Sequence, residues 1–526
     1  MDITVEFLER LVADQAVGMG VASWAKVKPD AMAVTDRFTT RTWAELNANA
    51  NRLARVLRAA GLQPGDGIAL CCSNRVEFME ALNASRRIGT RITPVNWHLT
   101  ADEIAYILND CEAKALIGET RLASVVEASK MASLLRLKLS IGGDHDGFEN
   151  YETAIAKMDA SDITDPQIGS QMLYTSGTTG RPKGVFRPHG VATPPQFAGS
   201  NANYDPDTDV QLCVGPGYHA APLAFDIAIP QASGVPTVFI GEKWDSEAVL
   251  AAIEKYKITH AHMVPIMFQR LLSLPDDVKM KYNLSSLKFL VHGAAPCPPE
   301  VKRAMIEWLG PILFEYYAGS EGGAGFYVRS EEWLKKPGTV GKRPVLLAVK
   351  IMDEEGNELP NGEAGLIYHQ TTAANPFQYY KDEGKTEKAH RGGFFTLGDI
   401  GYFDEDDYLF LTGRSAEIII SGGVNIYPQE IDNEIIKHDA VEDVCSIGVP
   451  NKEWGEEVKA VVMLKPGFEP SERLKEEILV FARGKLAGFK IPRTVDFVGD
   501  LPRSMAGKIQ RGKVRAPFWE GRKVQI

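Results

Sequence analysis

Hydrophobic positions between residues 33 and 170 alternate between a helical period and a strand period. The first clear helix signal is a capping box, in which Thr42 and Glu45 can satisfy the first backbone N–H groups of a helix. An apolar stripe at helical spacing follows, and Gly61 stands where a helix of this length would end. The stripe consists of Leu46, Leu53, Val56, Leu57 and Ala60.

Buried-strand patterns at residues 67–72 and 115–117 alternate with helix patterns at residues 77–88 and after a second capping box at residues 100–103. Strand–helix–strand alternation predicts right-handed crossovers and a parallel sheet, and therefore an α/β fold. In open sheets of this kind, ligands bind at the carboxyl ends of the strands. A further strand predicted at residues 171–174 draws attention to the loop that follows it.

That loop belongs to the stretch 173–185, which reads Leu-Tyr-Thr-Ser-Gly-Thr-Thr-Gly-Arg-Pro-Lys-Gly-Val. Glycines let the backbone approach a ligand, hydroxyl and N–H groups donate hydrogen bonds, and a lysine adds charge, which together predict a polyphosphate cradle. It is not a Walker P-loop, because Lys183 is followed by Gly184 rather than by Ser or Thr. The alternative is a solvated loop between two strands. The candidate ligands are Thr175, Ser176, Gly177, Thr178, Thr179, Gly180 and Lys183.

A second glycine pattern, at residues 215–217, follows a predicted strand and imitates a dinucleotide-binding fingerprint. Pro222 disfavours that interpretation, because a pyrophosphate needs the first N–H groups of the following helix and proline has none. The alternative is an aromatic–histidine corner, in which Tyr218 and His219 line a pocket. A single histidine of this kind is also compatible with a purely structural role.

Residues 314–323 read Phe-Glu-Tyr-Tyr-Ala-Gly-Ser-Glu-Gly-Gly, a strand pattern that ends in a glycine-flanked turn. The strand can deliver Tyr317 for stacking on a base, and the turn presents Ser320 and Glu321. Because a carboxylate beside a triphosphate repels it unless a divalent cation lies between them, Glu321 is the candidate magnesium ligand. The alternative is a solvated glutamate in an ordinary surface turn.

Charged side chains also occur in three later segments. Asp399 can accept hydrogen bonds from both hydroxyls of a ribose, since a carboxylate has two oxygens and no donors. Arg414 follows an acidic turn and is a candidate second contact to ribose or phosphate. Lys508 lies in a basic loop at residues 501–511, which by itself is also typical of a solvated C-terminal tail.

The composition narrows the class of protein. The 526 residues carry a formal net charge of −11, which disfavours a nucleic-acid partner. The six cysteines lack zinc or redox spacing, the N-terminus has no signal-peptide pattern, and no apolar run is long enough for a membrane span. We therefore expect a cytoplasmic protein of several domains, with peripheral membrane contact left open.

Three of these motifs, at residues 173–185, 314–323 and 501–511, occur in the order and spacing found in the adenylate-forming superfamily. The chain resembles an acyl-CoA synthetase of that superfamily over roughly residues 30–515. The resemblance implies an α/β fold, with a large N-terminal domain of two α/β subdomains plus a β-barrel-like portion. It also implies a small, mobile α+β C-terminal domain. The predicted domains are residues 1–414 and 415–526, with a hinge at Ala416, where the family usually has Asp or Lys.

The resemblance also implies roles for individual residues. Lys508, Glu321, Thr175 and His219 would be catalytic, and Glu321 would hold Mg²⁺. Residues 293–295 would lie against the adenine and the acyl group. The other implied contacts to ATP or coenzyme A are Gly293, Ala294, Ala295, Glu315, Tyr316, Tyr317, Ala318, Gly319, Ser320, Asp399, Arg414, Ser421, Gly422 and Gly423.

The implied reaction joins a small-molecule carboxylic acid to AMP and then to coenzyme A, with release of pyrophosphate and AMP. Small residues at 293–295 and 322–324 favour a medium- or long-chain fatty acid, or a bulky hydrophobic or aromatic acid, over acetate. One alternative is an adenylating enzyme that passes the acyl group to a carrier protein or another acceptor. An alternative of another class is a nucleotide-binding protein without catalysis. The oligomeric state is left open, with a homodimer as one option.

Overall fold

The computed structural model describes residues 3–175, 182–371, 376–421, 424–504 and 507–520. The chain divides into two compact units. The first unit comprises Met1–Met263, Ser273–Val291 and Thr372–Thr386, and the second comprises Val264–Leu272, His292–Thr371 and Glu387–Ile526. Within the described ranges, every helix is too short or too polar to cross a membrane.

The first unit contains the predicted parallel sheet. Six strands pair in parallel in the spatial order Ser170–Thr175, Arg91–Pro94, Gly67–Cys71, Ala113–Glu119, Leu137–Ile141 and Glu149–Asn150. Antiparallel strands Lys183–Phe186 and Gln378–Tyr379 extend the sheet beyond Ser170–Thr175. The loop after Ser170–Thr175 thus follows the carboxyl end of a parallel strand, which confirms the α/β prediction for this part of the chain.

A second sheet in the first unit has strands of both directions. His260–Met263, Gln211–Cys213, Thr237–Phe239 and Met32–Thr35 pair in parallel in that spatial order. Strand Thr40–Thr42 adds antiparallel to Met32–Thr35. Strand Phe289–His292 is buried along its whole length.

Both predicted capping boxes are present. The hydroxyl of Thr42 accepts from the backbone N–H of Glu45, and the Glu45 carboxylate accepts from the N–H of Thr42. Thr100 and Glu103 form the same reciprocal pair. Helix Trp43–Ala59 then ends before Gly61, whose φ of 80° lies in the left-handed region that glycine adopts at helix ends.

Most of the longer α-helices in the described ranges bury an apolar face, whereas Val76–Arg86 is buried on nearly all sides and Asp276–Met280 buries no residue. The α-helices are Val5–Ala16, Gly20–Val27, Trp43–Ala59, Val76–Arg86, Ala101–Asp110, Ala123–Met131, Tyr151–Ala156, Ala220–Pro222, Ile229–Ala232, Ser246–Tyr256, Pro265–Leu272, Asp276–Met280, Pro299–Leu309, Ser330–Trp333, Glu383–Ala389, Pro428–Ile435, Glu472–Arg483 and Arg511–Trp519.

The second unit is built mainly from antiparallel sheets. One sheet has the order Thr339–Lys342, Tyr408–Arg414, Phe394–Phe403, Gly365–Gln370 and Val349–Met352, with His390–Arg391 beside Phe394–Phe403. A hairpin joins Leu313–Gly319 to Gly322–Arg329. These strands supply the β-rich portion that the resemblance implied.

Residues after 418 form a further sheet with its own helices. The strand order is Val424–Ile426, Ile419–Ser421, Gly455–Leu464 and Val441–Asn451, with Thr494–Val498 parallel to Gly455–Leu464. Apolar residues between Ile419 and Val495 form a separate hydrophobic core. This core supports a C-terminal domain, although contacts group these residues with 292–371 in one unit. The boundary after Arg414 stays a prediction.

Candidate active site

Two antiparallel strands of the first unit flank the hydroxyl-rich stretch. Strand Ser170–Thr175 leads into it, and the chain returns antiparallel in Lys183–Phe186, with Thr175 opposite Lys183. Both Thr175 and Lys183 are half-buried. Outside the described residues lie the predicted contacts Ser176, Gly177, Thr178, Thr179 and Gly180.

The ammonium group of Lys183 is held by an ion pair within the first unit. Its Nζ lies 3.1 Å from Oδ2 of Asp382. The pKa of Asp382 is lowered, first because the backbone N–H of Lys385 donates to its carboxylate and then because of Lys183. The lysine predicted to face a polyphosphate is therefore anchored beside a carboxylate that stays ionised.

The rings of Tyr218 and His219, the pair predicted to line a pocket, have centroids 4.7 Å apart. Tyr218 is buried, and no group in the described ranges makes a hydrogen bond to its hydroxyl. His219 is half-buried and stands at the N-terminus of a helical run that begins at Ala220. The run continues as a π-helical turn, Leu223–Ala228, a form often found at functional sites.

The glycines at 215–217 are engaged by the chain itself. The side-chain amide of Asn74 donates to the carbonyl of Gly215, and the N–H of Gly217 donates to Oδ1 of Asn74, both at 2.8 Å. A Cβ on Gly217 would lie 3.1 Å from the ring of Phe78. These glycines therefore serve close packing, which supports the interpretation against a dinucleotide site.

In the second unit, Ser320 and Glu321 form the two-residue connection of a hairpin. Gly319 and Gly322 face each other at the ends of its two strands, and Gly322 has a φ of 114°. Only glycine adopts that angle readily. The tight turn projects Ser320 and Glu321 away from the strands, and both are half-buried.

Three of the predicted residues form one hydrogen-bonded group around a buried carboxylate. Asp399 and Arg414 face each other on neighbouring strands, with Arg414 Nε 2.8 Å from Asp399 Oδ1. The hydroxyl of Tyr317 donates to Asp399 Oδ2 at 2.8 Å. The two oxygens of Asp399 are thus fixed from two sides, which orients the carboxylate that was predicted to meet a ribose.

The ring of Tyr317 is less available than the stacking prediction requires. It is only 8% exposed and lies 5.9 Å from Phe326 and 5.8 Å from His369, measured between ring centroids. The strand alternates, so the neighbouring Tyr316 is directed to the opposite face. A Cβ on Gly293 would lie 2.6 Å from the ring of Tyr316, which shows that this ring covers the glycine.

The carboxylate of Glu315 is also engaged inside the second unit. Its Oε2 lies 2.5 Å from Nζ of Lys302, and the residue is only 7% exposed. Burial raises the pKa of Glu315, and Lys302 opposes that effect. The side chain predicted to contact a nucleotide is thus paired internally, and Ala318 on the same strand is exposed. Ala294, in the turn after strand Phe289–His292, adopts a φ of 68°.

Lys508 lies in a tight loop that docks within the second unit. The backbone N–H of Ser504 donates to the carbonyl of Lys508, and a Cβ on Gly507 would lie 2.6 Å from Ile266. Lys508 keeps an exposed surface, yet its pKa is lowered to about 8. Loss of water around the ammonium is the largest cause, and repulsion by Arg414 is the second.

Carboxylates oppose that shift. Asp399, Glu321 and Glu417 each raise the pKa of Lys508, in that order of effect. The structure therefore brings together, within electrostatic range, residues from four distant segments that the sequence had singled out. A bound anion that compensated for the missing water would raise the pKa of Lys508 again.

The remaining predicted contacts to coenzyme A are Ser421, Gly422 and Gly423. Ser421 ends strand Ile419–Ser421 and pairs with Gly455. Gly422 and Gly423 lie outside the described residues. Within the described ranges, no group of three or more His, Cys, Asp or Glu side chains could hold a metal ion.

Sequence reasoning missed the partners of the charged residues. Asp382 is separated from Lys183 by 199 positions, and no local pattern links them. Glu417, next to the predicted hinge, accepts from Nε of Arg511 at 3.1 Å. The position of Glu417 beside Ala416 was the only available signal, and it did not identify the arginine.

Comparison with protein families and known proteins places these features in context. Residues 21–375 match the family described as AMP-binding enzyme, and residues 430–508 match the AMP-binding enzyme C-terminal domain. A feruloyl-CoA synthase of Amycolatopsis sp is 33% identical over 516 residues, which cover 95% of this chain and 99% of the relative. The fatty acid–[acyl-carrier-protein] ligase ScoC of Streptomyces coeruleorubidus is 31% identical, with coverage of 94% and 95%.

The fold is also similar to that of a solved structure. The crystal structure of the anthranilate CoA ligase AuaEII, in complex with anthranoyl-AMP, has a TM-score of 0.83 and covers 98% of both chains. The two sequences are 23% identical, so the similarity between this chain and AuaEII concerns the fold alone. Taken with the family matches, it confirms the fold class and the resemblance inferred from the three motifs. The chain belongs to the AMP-binding enzyme family and is an acyl-CoA synthetase of the adenylate-forming superfamily.

Proposed function

We propose that this enzyme converts a bulky hydrophobic, aromatic, or medium- to long-chain fatty acid into its coenzyme A thioester through an acyl adenylate. The single observation that carries the residue assignment is the group around Lys508. A lysine with a pKa lowered to about 8 shares an electrostatic neighbourhood with Glu321, Asp399 and Arg414. With a magnesium ion held at Glu321, such a group would suit a ligand that brings several negative charges.

The first half-reaction follows from charge. The carbon of a carboxylate is a poor electrophile, so the acid must first be activated. A carboxylate oxygen attacks the α-phosphorus of ATP, and pyrophosphate leaves with the electrons of the broken P–O bond. Repulsion between two anions and the charge on the leaving group are the obstacles. Lys183 and Lys508 would offset both, and each charge-assisted contact contributes about 1.5–3 kcal/mol.

The other residues would position the nucleotide. Asp399, fixed by Tyr317 and Arg414, would accept hydrogen bonds from the ribose hydroxyls. Thr175 and the hydroxyl-rich turn would donate to phosphate oxygens, and Gly293 with Tyr316 would border the base. His219 would lie near the acyl group. Tyr316 is a better stacking candidate than Tyr317, whose ring is mostly covered.

Glu321 fits a magnesium ion that arrives with the triphosphate. Mg²⁺ usually takes one or two carboxylates and completes its shell with phosphate oxygens and water, so one carboxylate in a turn suffices. When bound, the ion supplies positive charge to the phosphate oxygens. Glu321 would hold it, and Lys508 lies within electrostatic range of the same carboxylate.

For the second half-reaction, the domain of residues 415–526 would turn about Ala416. Lys508 would move away from the phosphates, and the segment after Ser421 would approach the acyl adenylate. There the thiol of coenzyme A attacks the carbonyl carbon, and AMP leaves. Ala416 lies in a single 3₁₀ turn, Ser415–Glu417. That short connection supports a pivot at this position.

The acid class rests on chemistry and on relatives. Residues 293–295 are small and uncharged, so the part of the acyl pocket that they would border carries no charge. Relatives named for ferulate, a fatty acid and indoleacetate suggest acids with large apolar bodies. The relative named as an acyl-carrier-protein ligase keeps a protein acceptor as the second candidate. All six cysteines are free thiols, which supports the cytoplasm as compartment.

The test follows pyrophosphate and AMP together over a panel of acids that includes ferulate, indoleacetate, long-chain fatty acids and acetate. We expect coenzyme A-dependent AMP release with one bulky class and little with acetate. Pyrophosphate release that never leads to a coenzyme A thioester would instead favour the carrier-protein alternative. Preference for acetate would contradict the proposed acid class.

A further inference from the structure

A buried group of charged and ring side chains in the second unit has no role in the reaction as described so far. We call it the Glu315 cluster, and it consists of His292, Lys302, Glu315 and Trp333. His292 and Lys302 are 0% exposed, Trp333 is 1% exposed and Glu315 is 7% exposed. Removing charged groups from water in this way is costly unless they are paired.

The contacts of the cluster converge on one oxygen. Nζ of Lys302 lies 2.5 Å from Oε2 of Glu315, and Nε2 of His292 lies 3.8 Å from the same oxygen. The Lys302 ammonium also lies 4.7 Å from the ring centroid of Trp333, a cation–π distance. The Glu315 carboxylate on the strand therefore lies between two residues, Lys302 of helix Pro299–Leu309 and His292, which precedes the 293–295 turn.

Two residues of the Glu315 cluster adjoin the proposed nucleotide contacts. His292 is followed directly by Gly293, and Glu315 is followed directly by Tyr316. The ring of Tyr316 covers Gly293, so close that a Cβ there would lie 2.6 Å away. A shift of the strand relative to the turn would change the very contact that borders the proposed base site.

Stability alone is a poor reason to retain such an ion pair. Well-packed apolar residues of similar volume often replace a buried pair without loss, whereas removal of one partner leaves an uncompensated charge. The helix that carries Lys302 already buries Met305 and Ile306 on its inner face. The ion pair differs from an apolar contact in fixing one geometry between its two elements.

We propose that the Glu315 cluster positions strand Leu313–Gly319 against the 293–295 turn, and thereby sets the affinity for ATP. Lys302 and Glu315 are positioning residues, since their charged groups act through Tyr316 and Gly293 rather than on the nucleotide. The inference rests on the proposed function, because it assumes that these two residues border the base.

The main test is a double variant, Lys302→Met with Glu315→Met, compared with each single variant. The single variants leave one buried polar partner and should lower both the melting temperature and the affinity for ATP. The double variant should recover most of the melting temperature while its KM for ATP stays at least fivefold above that of the wild type. Recovery of both quantities would overturn the proposal.

A matched control comes from the first unit. Glu80 is 0% exposed, and its carboxylate accepts from Nε of Arg41 at 3.0 Å and from the hydroxyl of Tyr151 at 2.7 Å. Glu80→Gln should lower the melting temperature without changing the KM for ATP. An equal rise in KM for this variant would mean that lost stability, rather than lost positioning, weakens ATP binding, and it would overturn the proposal.

Glu315→Gln keeps the shape of the side chain and covers the case in which the double variant does not fold. It should raise the KM for ATP at least threefold while leaving the KM for the acid within twofold. An unchanged KM for ATP in this folded variant would also overturn the inference. A wild-type enzyme that consumes no ATP with any acid would instead refute the proposed function, and the inference with it.

Discussion

The two lysines assigned to the triphosphate, Lys183 and Lys508, have different surroundings. Lys183 begins a strand, and its ammonium lies 3.1 Å from Asp382. Lys508 lies in a loop where loss of water and repulsion by Arg414 outweigh the attraction of nearby carboxylates, and its pKa is lowered to about 8. The ammonium of Lys183 is paired within its own unit, whereas the charge of the Lys508 ammonium is only partly compensated.

From this difference we expect Lys183 to act mainly in binding and Lys508 mainly in catalysis. A lysine paired with a carboxylate is held in place before the ligand arrives, so it contributes mainly to binding. A lysine whose pKa is lowered gains more electrostatic stabilisation than a paired lysine when an anion approaches. The gain is largest where negative charge develops during the reaction. Substitutions at the two positions should therefore affect different kinetic constants.

The largest effect is expected for Lys508→Ala. The variant should keep its fold, because the residue is exposed, and should lose about 10²–10³ in the rate of acid-dependent pyrophosphate release. Single-turnover measurement with saturating ATP tests this. Lys513→Ala, an exposed lysine on the following helix, is the matched control and should behave as wild type. Normal pyrophosphate release by Lys508→Ala would remove the distinction between the two lysines.

Lys183→Ala should have a smaller effect, mainly on the KM for ATP. Loss of one charge-assisted contact, about 1.5–3 kcal/mol, corresponds to a rise of roughly 10- to 100-fold. Asp382→Asn is a second variant at this contact, because it removes the ion-pair partner that would compete with a bound phosphate for Lys183. Its KM for ATP should lie at or below the wild-type value. A rise equal to that of Lys183→Ala would show instead that Asp382 is needed to aim the lysine.

The smallest effect is expected for Tyr317→Phe. The variant loses the hydrogen bond from the Tyr317 hydroxyl to Asp399 but keeps the Arg414 ion pair. We expect a rise in KM for ATP of less than about tenfold and a loss of about 1.5–3 kcal/mol in the free energy of unfolding. Steady-state kinetics and denaturant titration measure the two. A loss as large as that of Lys508→Ala would contradict the assignment of Tyr317 to a supporting role.

Much of the fold could be predicted from local pattern. The capping boxes at Thr42 and Thr100 fixed two helix starts, because side-chain and backbone groups three residues apart determine them. The parallel sheet followed from strand–helix alternation. Membership of the family followed from three motifs. Each motif is an unbroken run of residues whose chemistry depends on residue order.

What sequence could not supply was the pairing of distant charges. The Asp399 carboxylate and the Arg414 guanidinium meet because their strands pair, and the Tyr317 hydroxyl reaches Asp399 from a strand of another sheet. The same holds for Lys302 and Glu315. Glu315 was predicted as a nucleotide contact, and the structure shows it in a buried ion pair with Lys302. Tyr317 likewise entered the core, since which face of a strand is covered depends on the packing of other elements.

The most direct test of the account is the pH dependence of kcat/KM for adenylation in the wild type and in Lys508→Arg. Lys508 is charged below its lowered pKa and loses its proton as the pH rises, so activity that needs the ammonium should fall above about pH 8. Arginine stays charged throughout this range, so its alkaline limb should disappear or move well above pH 10. The same limb near pH 8 in both proteins would contradict the role of Lys508.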